Sequence, residues 1–416
     1  MIETEKVEVI ILGLPGKRIL IIVENLPVPF DRRVWQEACS LKKAGYEVSI
    51  ICPSGKDYEK RYEVIDGIYI YRHPIPFDAR SALGYLCEYG CALFWEFVLS
   101  LYLFYKRGFD VIQACNPPDL IFIVGGFYKL FFGKKFVFDH HDINPELWLA
   151  KGGRKKLFYK LLLLCERLTF MTSDVSIATN MSYKDIAVKR GKMKDDEVFV
   201  VRSSPIVENI EKFIPKIVDE SLKKGKKYMV GYVGVMAKQD GIDYLLNAID
   251  YIINNKGRKD IFFVLIGKGP EWQYLINRAK ELNLDNFVCF TGRISDKEMV
   301  TLLSSCDVCV NPDIVNEFND KSTMNKIIEY MILAKPIVQF DMKEGRFSAQ
   351  EASLYARPND PIDFGDKILE LLDDPQRCKT MSAFGKRRVK EDLSWTNSEK
   401  ELLMAYNYLF SKVKEK

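Results

Sequence analysis

The chain has 416 residues, 48% hydrophobic and 28% charged, with 61 Lys and Arg against 57 Asp and Glu for a net charge of +4. That length and apolar content suit two globular domains with full cores. The charges are scattered and nearly balanced, with no basic tract interleaved with aromatics, which argues against a nucleic-acid partner.

Strand and helix patterns alternate, which predicts parallel sheets covered on both faces. Residues 18–23 read as a buried strand, 31–44 as an amphipathic helix ended by Gly45, 47–52 as the next strand and 68–72 as another. An aromatic helix follows near residues 85–105. Glu96 interrupts its apolar run, which falls short of the roughly 20 residues of a spanning helix. It is either a largely buried helix of the first domain or an aromatic-lined face near a lipid-linked acceptor or membrane, with Lys106 and Arg107 as its basic end. Next come a strand at 111–114, a helix from near Pro118, a strand at 136–138, a long helix at 155–170, and strands at 175–178 and 198–201.

The hydrophilic stretch 207–227 reads as an interdomain linker. Beyond it lie a strand at 228–233, a glycine turn, a helix from Asp240, a strand at 261–266, a helix at 271–282, a strand at 287–290, a helix at 296–304 and a strand at 308–310. Helices at 375–390 and 395–410 close the chain. The ten cysteines sit mostly in apolar runs such as Val308-Cys309-Val310 and read as reduced core thiols of a cytoplasmic protein. The acidic opening Met1-Ile2-Glu3-Thr4-Glu5 argues against export.

The segment Ser322-Thr323-Met324-Asn325-Lys326-Ile327-Ile328-Glu329 is the most informative, running on to Lys335-Pro336 and an apolar strand. It predicts a polar turn opening a short helix, with a carboxylate one turn in. Unpaired N–H groups at a helix start attract phosphate, and a Glu on the following turn can accept from a ribose diol. Taken alone, Glu329 reads more readily as a structural or surface carboxylate; its place between the strand at 308–310 and the apolar strand after Lys335-Pro336 reverses that.

The segment, with most of the chain, resembles the nucleotide-sugar signature of the retaining GT-B glycosyltransferases of family 4, and within them the surface-polysaccharide branch, whose turn reads as residues 319–326 do here. The resemblance implies an α/β, GT-B fold of two Rossmann-like domains facing a central cleft. Residues 1–206 would form the acceptor-binding domain, joined by a C-terminal helix at 393–416 that crosses back to it, and 207–392 the nucleotide-sugar-binding domain. Glu329 would hold the donor ribose. Family members often carry a second Glu where Lys321 stands here.

Four loops at strand ends then become candidates, since open α/β sheets bind ligands there. In the first, Phe30 and Asp31 replace the family's glycine pair, and Arg32 or Arg33 can reach a phosphate or acceptor; the other reading is an Asp31 N-cap followed by two solvated arginines. The second, Asp139-His140-His141-Asp142, resembles the first-domain active-site motif, which assigns sugar contact to His141 and Asp142. Structural hydrogen bonding, or a metal site completed by Asp139 or Glu146, are the other readings. The third holds Gly234 and Lys238. The family's two phosphate-binding cations are replaced by Val235 and Asp240, so Lys238 is expected to take the phosphate. In the fourth, Gly267 would line the nucleotide pocket, and Arg293 and Ile294 would pack on the base.

The implied reaction transfers a sugar from a nucleoside diphosphate sugar to a hydroxyl acceptor, a glycan or lipid-linked glycan, with retention. N–H groups of Met324, Asn325 and Lys326 would stabilise the leaving diphosphate with Lys238. Asp-x-Asp is absent from the sequence, so no metal and no cofactor are expected. The expected location is cytoplasmic, peripheral at the inner membrane face; oligomeric state leaves no trace in the sequence. A sugar-nucleotide epimerase of similar fold and a non-catalytic nucleotide- or glycan-binding protein are the alternatives.

Overall fold

The computed structural model describes residues 16–74, 82–217 and 219–411; the acidic opening 1–5 lies outside them. The chain divides into two compact units. Unit 1 takes Met1–Pro145, Arg154–Arg202 and Ser398–Lys416, and unit 2 takes Glu146–Gly153 and Ser203–Asn397.

Unit 1 runs β1 (Arg18–Ile22), α1 (Arg32–Lys43), β2 (Glu47–Pro53), β3 (Tyr62–Ile65), β4 (Ile68–His73), α2 (Ala82–Lys106), β5 (Val111–Cys115), α3 (Phe122–Phe132) and β6 (Lys135–His140). After α4 (Asn144–Ala150), most of which belongs to unit 2, unit 1 resumes with α5 (Lys156–Thr172), β7 (Val175–Ala178), α6 (Met181–Lys189) and β8 (Val198–Val200). The strands pair in the order β3-β4-β2-β1-β5-β6-β7-β8, parallel except for β3 on β4. Ile19, Leu20, Ile21 and Ile22 of β1 are all buried, as a central strand covered on both faces requires. Right-handed crossovers place α1 on one face of this sheet and α2, α3, α5 and α6 on the other.

Unit 2 runs α7 (Val207–Glu211), β9 (Tyr228–Val233), α8 (Ile242–Asp250), β10 (Ile261–Ile266), α9 (Trp272–Glu281), β11 (Val288–Gly292), α10 (Asp296–Ser305) and β12 (Val308–Asn311). It continues with α11 (Glu317–Lys321), α12 (Asn325–Ile332), β13 (Ile337–Phe340), α13 (Lys343–Ala349), β14 (Ser353–Ala356), α14 (Pro361–Leu372) and α15 (Pro375–Arg388). Its all-parallel sheet has the order β11-β10-β9-β12-β13-β14. Alternate residues feed two cores: Ile261, Phe263 and Leu265 of β10 pack into one, and Phe262, Val264 and Ile266 into the other. The last helix, α16 (Trp395–Ser411), returns the chain to unit 1 from Ser398 onward. There Tyr406 and Phe410 pack on Tyr46, at ring separations of 5.6 and 6.3 Å.

Several local expectations are corrected. The stretch 207–227 is not a bare linker: Val207 and Ile210, one helical turn apart on α7, are buried in the unit 2 core, and Lys223 is buried against Asp307 and Glu220. The helix expected from Asp240 begins at Ile242, after a tight turn over Lys238–Asp240. Described thiols are free, including Cys306 and Cys309, which stand at Cys-x-x-Cys spacing but are both buried. The aromatic helix is partly buried, as its first reading expects: Glu96, Ser100 and Leu103 face inward, while Phe94 and Tyr105 face solvent. At the end of this helix Lys106 is exposed, and the Arg107 guanidinium stacks on Tyr69, 3.3 Å from the ring centroid. No described helix is long and apolar enough to cross a membrane.

Candidate active site

In unit 1 the candidate residues gather at the ends of β5 and β6 and the start of α1. Asp31 caps α1, its carboxylate accepting from Val34 N–H at 3.1 Å, while Arg32 and Phe30 are exposed. Arg33 matches neither of its readings, for it is only 8% exposed and turned inward. Its Nη2 lies 2.9 Å from Asp139 and 3.1 Å from Glu37, and its Nη1 donates to the Val201 carbonyl at 2.7 Å. Buried carboxylates demand such a partner.

Burial opposes the charge on Asp139, but Arg33 and His141 beside it hold its carboxyl well below the usual range. Glu37 is the reverse: burial and Asp139 push it well above that range. Gln113 bridges the two, its Nε2 donating to Glu37 at 2.6 Å and to Asp139 at 3.1 Å, while its Oε1 accepts from the Tyr406 hydroxyl at 2.6 Å.

Of the two adjacent histidines, His140 is a core residue among Phe138, Phe170 and Tyr183, kept neutral as burial pulls it down to about 3. His141 keeps an accessible edge. Its Nε2 lies 2.8 Å from Asp139 Oδ2 and 2.9 Å from Arg33 Nε. One nitrogen cannot serve both: protonated it donates to Asp139, and unprotonated it accepts from Arg33, so either state of the ring is satisfied. Asn116, which the sequence reading missed, fixes the turn. Its Oδ1 accepts from the N–H groups of His141 and Asp142 at 2.7 and 3.1 Å, and its Nδ2 donates to the Asp142 carbonyl at 2.6 Å. Ligand atoms of Cys115, Asp139 and His141 lie within 4.8 Å of one another. They fit a metal poorly, because the Arg33 cation already sits on two of them and burial keeps the Cys115 thiol protonated.

In unit 2 the ends of β9, β10 and β11 are knit through glycines. Gly234 N–H donates to the Ile266 carbonyl and Gly267 N–H to the Gly292 carbonyl, each at 3.0 Å. A Cβ on Gly267 would lie 1.9 Å from the Gly234 carbonyl oxygen, so only glycine fits there. A Cβ on Gly234 would stand 3.2 Å from Lys326 Nζ, which places that ammonium at the loop. Lys326 Nζ is 2.9 Å from Asp313 and 3.9 Å from Asp240. Burial works against its charge, but those two carboxylates outweigh it and raise its pKa. Burial likewise pushes Asp240 up to about 6.

Lys321 reaches Glu317 at 3.3 Å and Glu146 at 3.8 Å, while Lys238 is exposed and lines a recess with Ile242, Glu271 and Tyr274. Met324 caps α12, Asn325 is exposed, and the Ser322 hydroxyl is committed to the Phe318 carbonyl at 2.7 Å. Thr323 and Glu329 are half-buried, Glu329 one turn into the helix. Beside Glu329, Tyr330 latches the sheet: its hydroxyl accepts from Val233 N–H at 2.9 Å and donates to the Val310 carbonyl at 3.1 Å. Arg293 is exposed, and Ile294 packs on the unit 2 core. Lys326, Asp313 and Tyr330 escaped the sequence reading as side chains because only the backbone of this helix start was weighed.

Residues 227–374 match the model of the family described as glycosyl transferases group 1. Among curated proteins, the chain is 22% identical over 301 residues to the chitobiosyldiphosphodolichol beta-mannosyltransferase of Debaryomyces hansenii; the match covers 67% of this chain and 63% of that protein. Among solved structures, it is similar to a sucrose-phosphate synthase from Thermosynechococcus elongatus, with a TM-score of 0.78 at 18% identity, over 95% of this chain and all (100%) of the other. Anabaena HepE, solved in complex with UDP-glucose, gives a TM-score of 0.69 at 13% identity, covering 94% of this chain and 99% of that one. The chain has the fold of the GT-B glycosyltransferases, and its residues 227–374 are similar to the glycosyl transferases group 1.

Proposed function

We propose that the chain is a retaining glycosyltransferase that moves a sugar from a nucleoside diphosphate donor to a hydroxyl of a glycan or lipid-linked glycan, in surface-polysaccharide or glycoconjugate synthesis. The observation that carries this reading is the Lys326 ammonium, held at the Gly234 loop by Asp313 and Asp240 on the same helix start that offers unpaired N–H groups. Departure of the nucleoside diphosphate builds negative charge on its β-phosphate, and a fixed cation with aligned N–H groups stabilises that charge. Asp240, whose carboxyl burial pushes up to about 6, stands 3.9 Å from the ammonium, farther than Asp313.

In this reading Lys326 takes the diphosphate role first expected of Lys238, and Glu329 accepts from the donor ribose. His141 and Asp142 contact the transferred sugar, with Asp139 and Arg33 orienting the imidazole. The leaving phosphate takes the acceptor proton, so no separate base is assigned.

Incubation with a panel of nucleotide sugars tests the proposal. Acceptor-dependent release of nucleoside diphosphate is expected, strongly reduced in Glu329→Ala. A new sugar nucleotide, or binding without release for every donor and acceptor tried, would overturn it, and near-normal transfer by Glu329→Ala would remove the ribose assignment.

A further inference from the structure

The helices α2, α3 and α5 lie side by side on one face of the unit 1 sheet and are tied together. Phe97 of α2 meets Phe127 of α3 with ring centroids 5.0 Å apart, and Lys129 of α3 donates to the Thr172 carbonyl of α5 at 2.7 Å. A surface helix ordinarily turns charge to water. These three turn apolar stripes outward instead: Phe94 and Tyr105 on α2 are 61% and 81% exposed, Leu130 and Phe131 on α3 79% and 66%, and Leu157 and Leu164 on α5 82% and 51%. An apolar area spread over three adjacent helices marks a contact surface.

Its charge pattern says what the contact is. Within residues 94–106, 122–132 and 156–172 the only carboxylates are Glu96 and Glu166, and both are fully buried. Around the start of α5, Arg154, Lys155, Lys156 and Lys160 are all exposed. We propose that this three-helix face docks on the surface of a bilayer carrying anionic phospholipid. The stripes enter the boundary between headgroups and acyl chains, the tyrosines sit at headgroup level, and the cations meet the anionic headgroups. Glu88 and Asp174, at the margins of this face, are only partly exposed, and Asp174 is paired with Lys129, so the exposed charge is basic, for which a second copy of the chain gives no reason. The cations at the start of α5 thus add to the exposed Lys106 at the end of α2.

Flotation with phosphatidylcholine vesicles, with and without phosphatidylglycerol, tests this independently of any catalytic reading. Binding is expected only with phosphatidylglycerol. It should weaken as salt rises and fall more than about tenfold in the combined variant Lys155→Glu, Lys156→Glu and Lys160→Glu. Leu130→Ser with Leu157→Ser should also lower it, and since all five side chains are exposed, thermal unfolding should stay unchanged. Absence of flotation with either vesicle, or flotation that neither variant alters, would overturn the proposal. So would self-association that Leu157→Ser abolishes in a protein that ignores vesicles.

Discussion

Replacing Arg33 by Met removes the cation from a pocket in which Asp139 and Glu37 are both fully buried. Burial and Asp139 push the Glu37 carboxyl up while Arg33 and His141 hold Asp139 down, so Asp139 is the carboxylate that depends most on this cation. Breaking a buried pair of this kind costs about 3–5 kcal/mol. A second route to the magnitude sets a ceiling, because Asp139 can escape by taking up a proton. From an ordinary carboxylate pKa near 3.9, that costs roughly 1.36 × (7 − 3.9), or about 4 kcal/mol at pH 7. For a unit of this size, about 4 kcal/mol corresponds to a fall in melting temperature of roughly 8–16 °C. The wild type keeps the contribution of its lowered carboxyl at pH 7 and at pH 5, since that fades only below the unfolded pKa; what changes is the variant, whose buried carboxyl takes up a proton more cheaply as pH falls. At about pH 5 the ceiling is only about 1.5 kcal/mol, so the gap between wild type and variant narrows in acid. Urea unfolding followed by circular dichroism at both pH values measures this. A loss under about 1 kcal/mol at neutral pH, the range of surface pairs, would refute the buried-pair account, as would a loss indifferent to pH.

Lys326→Met should weaken nucleoside diphosphate binding by roughly 10- to 100-fold in calorimetry, the worth of a charge-assisted hydrogen bond, while exposed Lys238→Met should change it far less; the opposite ranking would return the phosphate role to Lys238. Tyr330→Phe leaves the Val233 N–H without its partner, at about 1–3 kcal/mol in urea unfolding, and a neutral result would mean that the latch is dispensable. Glu96 has no hydrogen-bond partner on either oxygen, and burial, with Glu24 adding, pushes it from 4.5 up to about 8. Because its folded pKa is raised, the stability of the wild type is fullest below about pH 4.5 and falls as pH rises through about 8. The advantage of Glu96→Gln should therefore grow across that window, and a pH-independent difference in urea midpoints would count against it.

The central strands were legible because both faces of each sheet are covered. Residues 228–233 and 261–266 are continuous apolar runs whose alternate side chains enter different cores, and their predicted bounds match β9 and β10. Edge strands β3 and β14 carry no such run, since an edge needs less burial, and both went unread. Helix α14 did have a readable start, with Asp360 accepting from the N–H groups of Ile362 and Asp363 and Pro361 in the first turn. The strand-end loops that hold the candidate site could be located from sequence, but the side-chain commitments within them could not. Arg33 looked like a free guanidinium because Asp139, its partner, is 106 residues away in the chain. The same distance effect hid Asn116, which reaches across 25 residues to hold the His141 turn.

The Tyr406 hydroxyl ends the polar chain that runs through Gln113 to Glu37 and Asp139, from a position 293 residues beyond Gln113. A nascent chain leaving the ribosome would therefore expose every strand of the first sheet long before the residue that completes its polar centre. Until then Gln113 Oε1 lacks its donor and Tyr46 lacks the rings of Tyr406 and Phe410. Both sheets have all their strands before α16 is made, so the polar centre of unit 1 is the last part of the molecule to be completed.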